Sequence, residues 1–220
     1  MTAKELKLDY FKFYDVANQS SDDWVTLQGQ FDKEPERARI LYLNFFANAV
    51  SKNRETLFNK FAHLNWYDIF DPVPEPTRVV VVENQFGKQK LLIGPARALL
   101  APAQKYERGS QFPEGLDHFK VYRVLEAEPV NKAVALKDQF GPDEVKVTVP
   151  LFFAVPVKKQ HAGTAIPIKN RRAHLVIYRM TPRLIQRTEL VRDQFGRRYI
   201  QIYRSVFLAA PSLKREWKEV

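Results

Sequence analysis

The sequence has 220 residues, a length that suits one large domain or two small ones. Of these residues 45% are hydrophobic, and the 16 Phe, 9 Tyr and 3 Trp are sufficient to fill a core. Its longest stretch without a charged residue spans only 12 positions (40–51), whereas about 20 apolar residues are needed to cross a bilayer, so we expect no membrane span. Cysteine is absent, which excludes disulfides and favours a reducing, cytoplasmic setting, and residues 1–10 lack the apolar segment of a secretory signal.

Short sequence markers recur along the chain at a nearly constant spacing. Gln-Phe pairs begin at residues 30, 85, 139 and 194, which are 55, 54 and 55 residues apart. Each pair follows an aromatic segment that ends in tyrosine and precedes a segment that ends in lysine. The markers are Tyr14, Tyr67, Tyr122 and Tyr178; Phe31, Phe86, Phe140 and Phe195; and Lys52, Lys105, Lys159 and Lys214. They predict four tandem repeats, at residues 1–58, 59–110, 111–165 and 166–220.

Repeat 1 departs most from the common pattern. Its Gln-Phe pair reads GQFDKE and has no glycine after the phenylalanine. Two of its segments, residues 34–46 and 54–64, have a helix-like composition. We therefore expect a short helix in this repeat beside its strands.

Repeat 3 shows the alternation of half-buried strands. Phe119 and Val121 alternate with polar neighbours in HFKVYRVL, and EVKVTV at 144–149 places valines on one side. Between the predicted strands stand NQFG or DQFG tetrads, in which Asp or Asn caps the turn, Gly supplies positive φ and Phe packs on the core. The tetrad therefore indicates a repeated corner rather than a repeated active site.

These elements predict a mostly β protein with a core shared by four repeats. We expect a closed, pseudo-fourfold, propeller-like or barrel-like arrangement, because closure removes exposed strand edges. Two packed sandwiches of two repeats each are the alternative. The marker lysines are expected to end strands in solvent, where they discourage edge pairing.

Repeat 4 carries nearly all of the net charge of +10. Residues 166–220 contain 13 Lys and Arg against 4 Asp and Glu, whereas residues 1–165 contain 22 against 21. Arginine suits carboxylate and phosphate, and tyrosines among the arginines can stack on bases, so this repeat indicates an acidic protein partner or a nucleic acid. The simpler interpretation is a well-solvated basic surface. The predicted face comprises Arg171, Arg172, Arg179, Arg183, Arg187, Arg192, Arg197, Arg198, Arg204, Tyr199 and Tyr203.

Patterns that carry catalysis are absent from the sequence: it has no nucleophile elbow, P-loop, HExxH or dinucleotide fingerprint. His63, His118 and His174 occupy one repeat-equivalent position, where a structural hydrogen bond is a simpler role than metal binding. Asp138 and Asp193 are expected to cap their turns. We therefore predict no catalytic residue, cofactor or metal. An enzyme would need a pocket built from the irregular loops 105–115 or 160–170.

The markers resemble a bacterial repeat domain of unknown function that occurs, often in several copies, in predicted secreted proteins. The resemblance covers almost the whole chain, most clearly residues 63–214. In that family a cysteine precedes the tyrosine and a second precedes the proline-containing tail, which implies a disulfide between them. This sequence has apolar residues instead, namely Phe13, Trp66, Val121 and Ile177 at the first position and Ala47, Leu100, Ala154 and Ala209 at the second. Because apolar residues replace the cysteines, we expect packing contacts in place of disulfides, and a cytosolic location in place of the secreted one that the resemblance implies.

The sequence thus favours a non-enzymatic scaffold or interaction module that belongs to a larger assembly and docks through its Arg-rich fourth repeat. A protein that binds a polyanion, either nucleic acid or acidic glycan, is the alternative, and an enzyme with a site in the inter-repeat loops is a third.

Overall fold

The computed structural model describes residues 3–70 and 73–220, which form one short helix and eleven strands. The elements are α1 (Ala3–Leu6), β1 (Tyr10–Gln28), β2 (Glu36–Lys52), β3 (His63–Phe70), β4 (Arg78–Asn84), β5 (Gly87–Lys105), β6 (His118–Glu126), β7 (Lys132–Asp138), β8 (Gly141–His161), β9 (Thr164–Ile166), β10 (His174–Asp193) and β11 (Gly196–Glu219). The prediction of a mostly β protein is confirmed.

Eight strands form a closed ring of antiparallel pairs. Its order is β1, β2, β3, β5, β6, β8, β10, β11 and back to β1. Consecutive pairs of ring strands come from the four predicted repeats in turn. The structure therefore has one closed sheet rather than two packed sandwiches, and closure satisfies the backbone groups that free edges would expose.

The long strands continue beyond the ring and pair there into four hairpins, β1–β2, β4–β5, β7–β8 and β10–β11. Three of the hairpins close with two-residue Gln-Phe turns, whose ladders end at Asn84↔Gly87, Asp138↔Gly141 and Asp193↔Gly196. The three glycines have φ values of 112°, 107° and 124°, a backbone conformation that residues other than glycine rarely adopt. The predicted turns are thereby confirmed.

Two apolar clusters lie on the two faces of the ring. One contains residues from all eight ring strands, including Phe13, Ala47, Leu100 and Val121, and therefore fills the inside. The other joins the alternate positions of the same strands, such as Tyr14 and Leu99, to the hairpins that cover the outside. The strands are thus buried on both faces along the ring.

The residues at the positions of the family's cysteines are direct partners across the ring strands. The pairs are Phe13↔Ala47, Trp66↔Leu100, Val121↔Ala154 and Ile177↔Ala209. All eight side chains belong to the inner cluster. Apolar contact inside the ring stands where the resemblance implies a disulfide.

The helix-like segments of repeat 1 are not helical. Residues 36–46 belong to β2, which pairs with β1 on one side and β3 on the other, while residues 53–62 form turns and loop. Ladder hydrogen bonds on both edges override the helical propensity of this stretch. The short helix of repeat 1 is instead α1, which has four residues.

Candidate functional site

The residues of the predicted basic face lie on and before the last hairpin. Arg171 and Arg172 precede β10, and the other nine lie on β10 and β11. Along β11 the side chains of Ile200 and Ile202 are buried, so that Tyr199 and Tyr203 face solvent with 68% and 42% of their surfaces exposed. Arg192 lies opposite Arg197 and Leu190 opposite Tyr199 on the same outward face. We call this face the basic ribbon: Thr188, Leu190, Arg192, Arg197, Tyr199, Gln201 and Tyr203.

Tyr106, in the loop after β5, extends the basic ribbon sideways. The guanidinium of Arg197 lies 4.6 Å from the centre of the Tyr106 ring. Such a contact orients the arginine without neutralising its charge. Arginine and exposed aromatic rings therefore alternate across this surface.

Four arginines of the predicted face contact other parts of the protein. Arg183 donates to the carbonyl of Pro142 at 2.5 Å, Arg187 lies 5.1 Å from the Phe140 ring, Arg198 lies 5.7 Å from the Tyr67 ring, and Arg204 forms an ion pair with Asp15 at 2.9 Å. These side chains tie the last hairpin to other repeats. Arg171, Arg172 and Arg179 are exposed outside the basic ribbon.

The marker phenylalanines and tyrosines meet at four corners of the molecule. The pairs are Tyr14–Phe140 (5.1 Å between ring centres), Tyr67–Phe195 (4.8 Å), Tyr122–Phe31 (5.3 Å) and Tyr178–Phe86 (5.0 Å), each edge to face. The turn of repeat 1 thus packs on repeat 3 and the reverse, and repeats 2 and 4 are joined in the same way. Each pair adds about 0.5–1.5 kcal/mol beyond its buried area.

Capping of the turns follows the prediction. Asp138 accepts a hydrogen bond from the backbone N–H of Phe140 at 3.0 Å, and Asp193 accepts one from Phe195 at 2.8 Å. Asp193 also accepts from the Tyr67 hydroxyl at 2.5 Å, and burial raises the pKa of its carboxyl. These contacts explain the recurring tetrad as a corner that one repeat inserts into another.

The expectation that the marker lysines lie in solvent is wrong. Lys52, Lys105 and Lys159 are only 6%, 4% and 1% exposed, and Lys214 is half-buried. Each amine lies over the marker phenylalanine of the next repeat, and the distances from ammonium to ring centre are 5.9 Å for Lys52–Phe86, 5.3 Å for Lys105–Phe140, 5.5 Å for Lys159–Phe195 and 5.2 Å for Lys214–Phe31. The favourable face of an aromatic ring offsets part of the cost of burying the amine.

The corner of repeat 1 carries a buried group of one lysine and three carboxylates. Lys120, which is fully buried, lies 3.2 Å from Asp32, 2.5 Å from Glu36 and 3.1 Å from Glu75. Burial lowers the pKa of Lys120, but Tyr122 and these carboxylates outweigh it and hold the pKa above its ordinary value. Lys120 therefore remains charged and holds the turn of repeat 1 against β6.

This charge group was not among the features predicted from the sequence. A signal was available, because Lys12 and Lys120 take the same place in the marker segments FKFY and FKVY, between two apolar positions. Lys12 is also buried and pairs with Asp143 at 2.5 Å. A lysine inside a strand that is buried on both faces requires a carboxylate partner.

The marker histidines do not converge on one point. His118 shares a hydrogen bond with Gln194 at 2.8 Å, His174 contacts Gln30, and His63 stacks on Phe46. Burial lowers the pKa of His63 and His118 to about 3 and that of His174 to about 4, so all three are neutral at physiological pH. Within residues 3–70 and 73–220 no group of three or more acidic or histidine side chains is arranged to hold a metal ion.

Of the two segments that were expected to be irregular loops, residues 106–115 contain no helix or strand, whereas residues 160–161 and 164–166 belong to the paired strands β8 and β9. Pro167 and Ile168, from the segment 160–170, border a cavity of about 490 Å³ together with Gln28, Gly29, Gln30, Pro156, Lys158 and Arg171. From the segment 105–115, Gly115 borders a much smaller cavity of about 40 Å³. The larger cavity is lined by amides, cations and apolar side chains, a set suited to binding.

Comparison with known proteins gives one family. A family described as a repeat of unknown function (DUF7450) matches residues 63–211, about two thirds of the chain. No curated protein and no solved structure matches the sequence. None of the helical residues in the described part of the chain forms a segment long and apolar enough to span a bilayer.

Proposed function

The chain belongs to the repeat family that matches residues 63–211, and from this premise we propose that it is a non-enzymatic interaction module. It serves as a rigid β scaffold in a larger assembly and docks an acidic protein through the basic ribbon. The observation that carries this proposal is the outward face of β10–β11, where Arg192 and Arg197 lie beside the exposed Tyr199 and Tyr203.

Composition and rigidity both support this role for the basic ribbon. Interfaces are enriched in tyrosine and arginine, which supply large contact areas and forked hydrogen bonds to carboxylates. The opposite face of the hairpin, with Val191, Ile200 and Ile202, is anchored in the outer core, so the exposed side chains stand on a fixed backbone. Complementary charge selects an acidic surface and speeds its association.

We also infer that the four corners are copies of one unit, arranged in a pseudo-fourfold ring. The Tyr–Phe and Lys–Phe contacts, each found four times, support this arrangement. Recurrence of the same contacts is the mark of a scaffold, since catalytic sites gather different groups at one place.

Binding of a fluorescent poly-glutamate peptide, followed by anisotropy at low salt, tests the docking proposal. We expect the Arg192→Gln/Arg197→Gln variant to bind about tenfold more weakly than the parent protein, because two charge-assisted contacts are lost. The matched control, Arg172→Gln/Arg179→Gln, removes the same charge from exposed arginines outside the basic ribbon. If the control loses as much affinity as the ribbon variant, or if the parent protein does not bind the peptide, the proposal is refuted.

A single-stranded nucleic acid is the second candidate partner, favoured by the exposed rings of Tyr199 and Tyr203, which offer surfaces for base stacking. Replacement of poly-glutamate by an oligothymidylate tests this candidate. Log affinity should then fall linearly with log salt concentration, with a slope of about −0.7 for each phosphate neutralised. A Tyr199→Ser variant should weaken oligothymidylate binding more than poly-glutamate binding. Equal losses for the two ligands would eliminate this candidate.

A further inference from the structure

A cavity opens where the turn of repeat 1 meets the loop before β10. It has a volume of about 490 Å³, within the range of small-molecule sites. Three segments line it: Gln28, Gly29 and Gln30 at the end of β1, Pro156 and Lys158 of β8, and Pro167, Ile168 and Arg171 between β9 and β10.

The sequence of this turn explains the shape of the cavity. Gly29 stands where the other three turns have Asn84, Asp138 and Asp193, whose side chains fill their corners. A Cβ atom at Gly29 would lie only 3.0 Å from a methyl group of Val157, so glycine lets the end of β1 approach β8 closely. Gln28 pairs with Lys158 in this contact and brings the lysine to the cavity wall.

The charged residues that line the cavity are of one sign. Lys158 and Arg171 are its charged lining residues, while Gln28 and Gln30 add amide groups. Both cations are exposed, and nothing in the described lining is acidic. The adjacent His174, which contacts Gln30, is neutral, and burial keeps its pKa at about 4. The site therefore attracts an anion and offers it a forked guanidinium.

The other side chains that line the cavity are apolar. Pro156, Pro167 and Ile168 present hydrocarbon surface beside the two cations. A ligand with only an anionic group would leave this surface in water, whereas one with an attached ring or chain would cover it.

We propose that this cavity binds a small organic anion whose carboxylate or phosphate lies between Arg171 and Lys158 and whose apolar body packs on Pro167 and Ile168. The site is separate from the basic ribbon and does not depend on the docking proposal. It gives a role to the loop between β9 and β10, which the repeat pattern leaves unexplained. Carboxylate and phosphate share the chemistry that Arg171 recognises, and the choice of probe distinguishes them.

Calorimetric titration with phenyl phosphate and with benzoate tests the site, since the two probes share a ring and differ in the anionic group. We expect the parent protein to bind one of them, and Arg171→Gln to weaken that binding about ten- to hundredfold through loss of a charge-assisted contact. Arg172→Gln, which removes the neighbouring exposed arginine outside the cavity, should leave the affinity within about twofold.

A second variant tests the apolar wall. Ile168→Ser should weaken phenyl phosphate binding several-fold while leaving the binding of inorganic phosphate unchanged, since only the ring contacts this side chain. The proposal is overturned if neither aromatic probe binds at concentrations up to about 10 mM, or if Arg171→Gln binds as tightly as Arg172→Gln. Thermal unfolding of each variant, compared with that of the parent protein, verifies that the loop substitutions leave the fold intact.

Discussion

A disulfide placed inside the ring is a direct test of its register. Val121 on β6 and Ala154 on β8 are antiparallel partners, fully buried in the inner cluster. Directly opposed residues in an antiparallel pair have Cα atoms about 4.5 or 5.5 Å apart, and both distances suit a disulfide. Valine and alanine together occupy a volume similar to that of two cysteines, so we expect Val121→Cys/Ala154→Cys to fold and to cross-link on oxidation.

The expected stabilisation follows from the loop that the cross-link closes. That loop runs from residue 121 to residue 154, which is 34 residues. Loss of its entropy in the unfolded chain raises the free energy of unfolding by about 4 kcal/mol. For a protein of this size each kcal/mol corresponds to about 2–4 °C, so the oxidised protein should melt about 8–15 °C above its reduced form.

Mass spectrometry with thiol alkylation counts the free cysteines, and thermal unfolding with and without reductant gives the stabilisation. Val121→Cys/Ala209→Cys is the matched control: both residues lie in the inner cluster, but Ala209 pairs with other strands and should not cross-link. Free thiols in the oxidised Val121→Cys/Ala154→Cys protein, or equal melting with and without reductant, would refute the described register.

Four further substitutions test the corners and a marker histidine. Tyr67→Phe should lower the free energy of unfolding by about 1–2 kcal/mol, because the buried carboxylate of Asp193 loses a donor. Tyr122→Phe should instead raise it by up to about 1 kcal/mol, since the buried Tyr122 hydroxyl has no hydrogen-bond partner among residues 3–70 and 73–220, and equal effects in chemical denaturation would contradict both assignments. Lys120→Met should cost about 3–5 kcal/mol by leaving buried carboxylates without a cation, and a loss below 1 kcal/mol in urea unfolding would show that the group is not buried as described. Burial lowers the pKa of His118 to about 3, so between pH 3 and about 6.5 the unfolded state binds a proton that the folded state does not, and stability falls as pH drops through this window. His118→Gln should therefore reduce the pH slope of the free energy of unfolding near pH 5 by about 1.4 kcal/mol per pH unit. An unchanged slope would mean that His118 is not buried in its neutral form.

Local chemistry made the turns predictable. The role of Asp138 depends on its own side chain and that of Gly141 on the lack of one, and capping and positive φ involve only neighbouring residues. The partner of each turn is not local: Tyr14 meets Asp138, which is 124 residues away, and nothing in either segment identifies the other. The marker tyrosines could therefore be recognised as structural from the sequence, but only the structure shows that they pack on the marker phenylalanines of the repeat two positions along the chain.

Expectations that rested on the charge of a side chain were wrong where the fold buries that side chain. Lys105 was expected in water because lysine usually is, yet it lies buried over Phe140. The helical composition of residues 36–46 was likewise overridden by pairing on both edges of β2. At the candidate site, counting residues was enough to show that arginine is enriched in repeat 4. Which arginines face solvent in the basic ribbon and which contact other repeats, as Arg183 contacts Pro142, depends on the side of the strand they occupy and on residues far away in the sequence.

Closure of the ring between its first and last strands has a consequence for how the protein is made. Phe11 pairs with Ala209, so β1 gains its second neighbour only after β11 has left the ribosome. Contacts this distant along the chain slow folding, and until closure the apolar strands remain accessible to other molecules. We expect newly synthesised chains to depend on chaperones until β11 emerges, and the closed ring to unfold in one cooperative step.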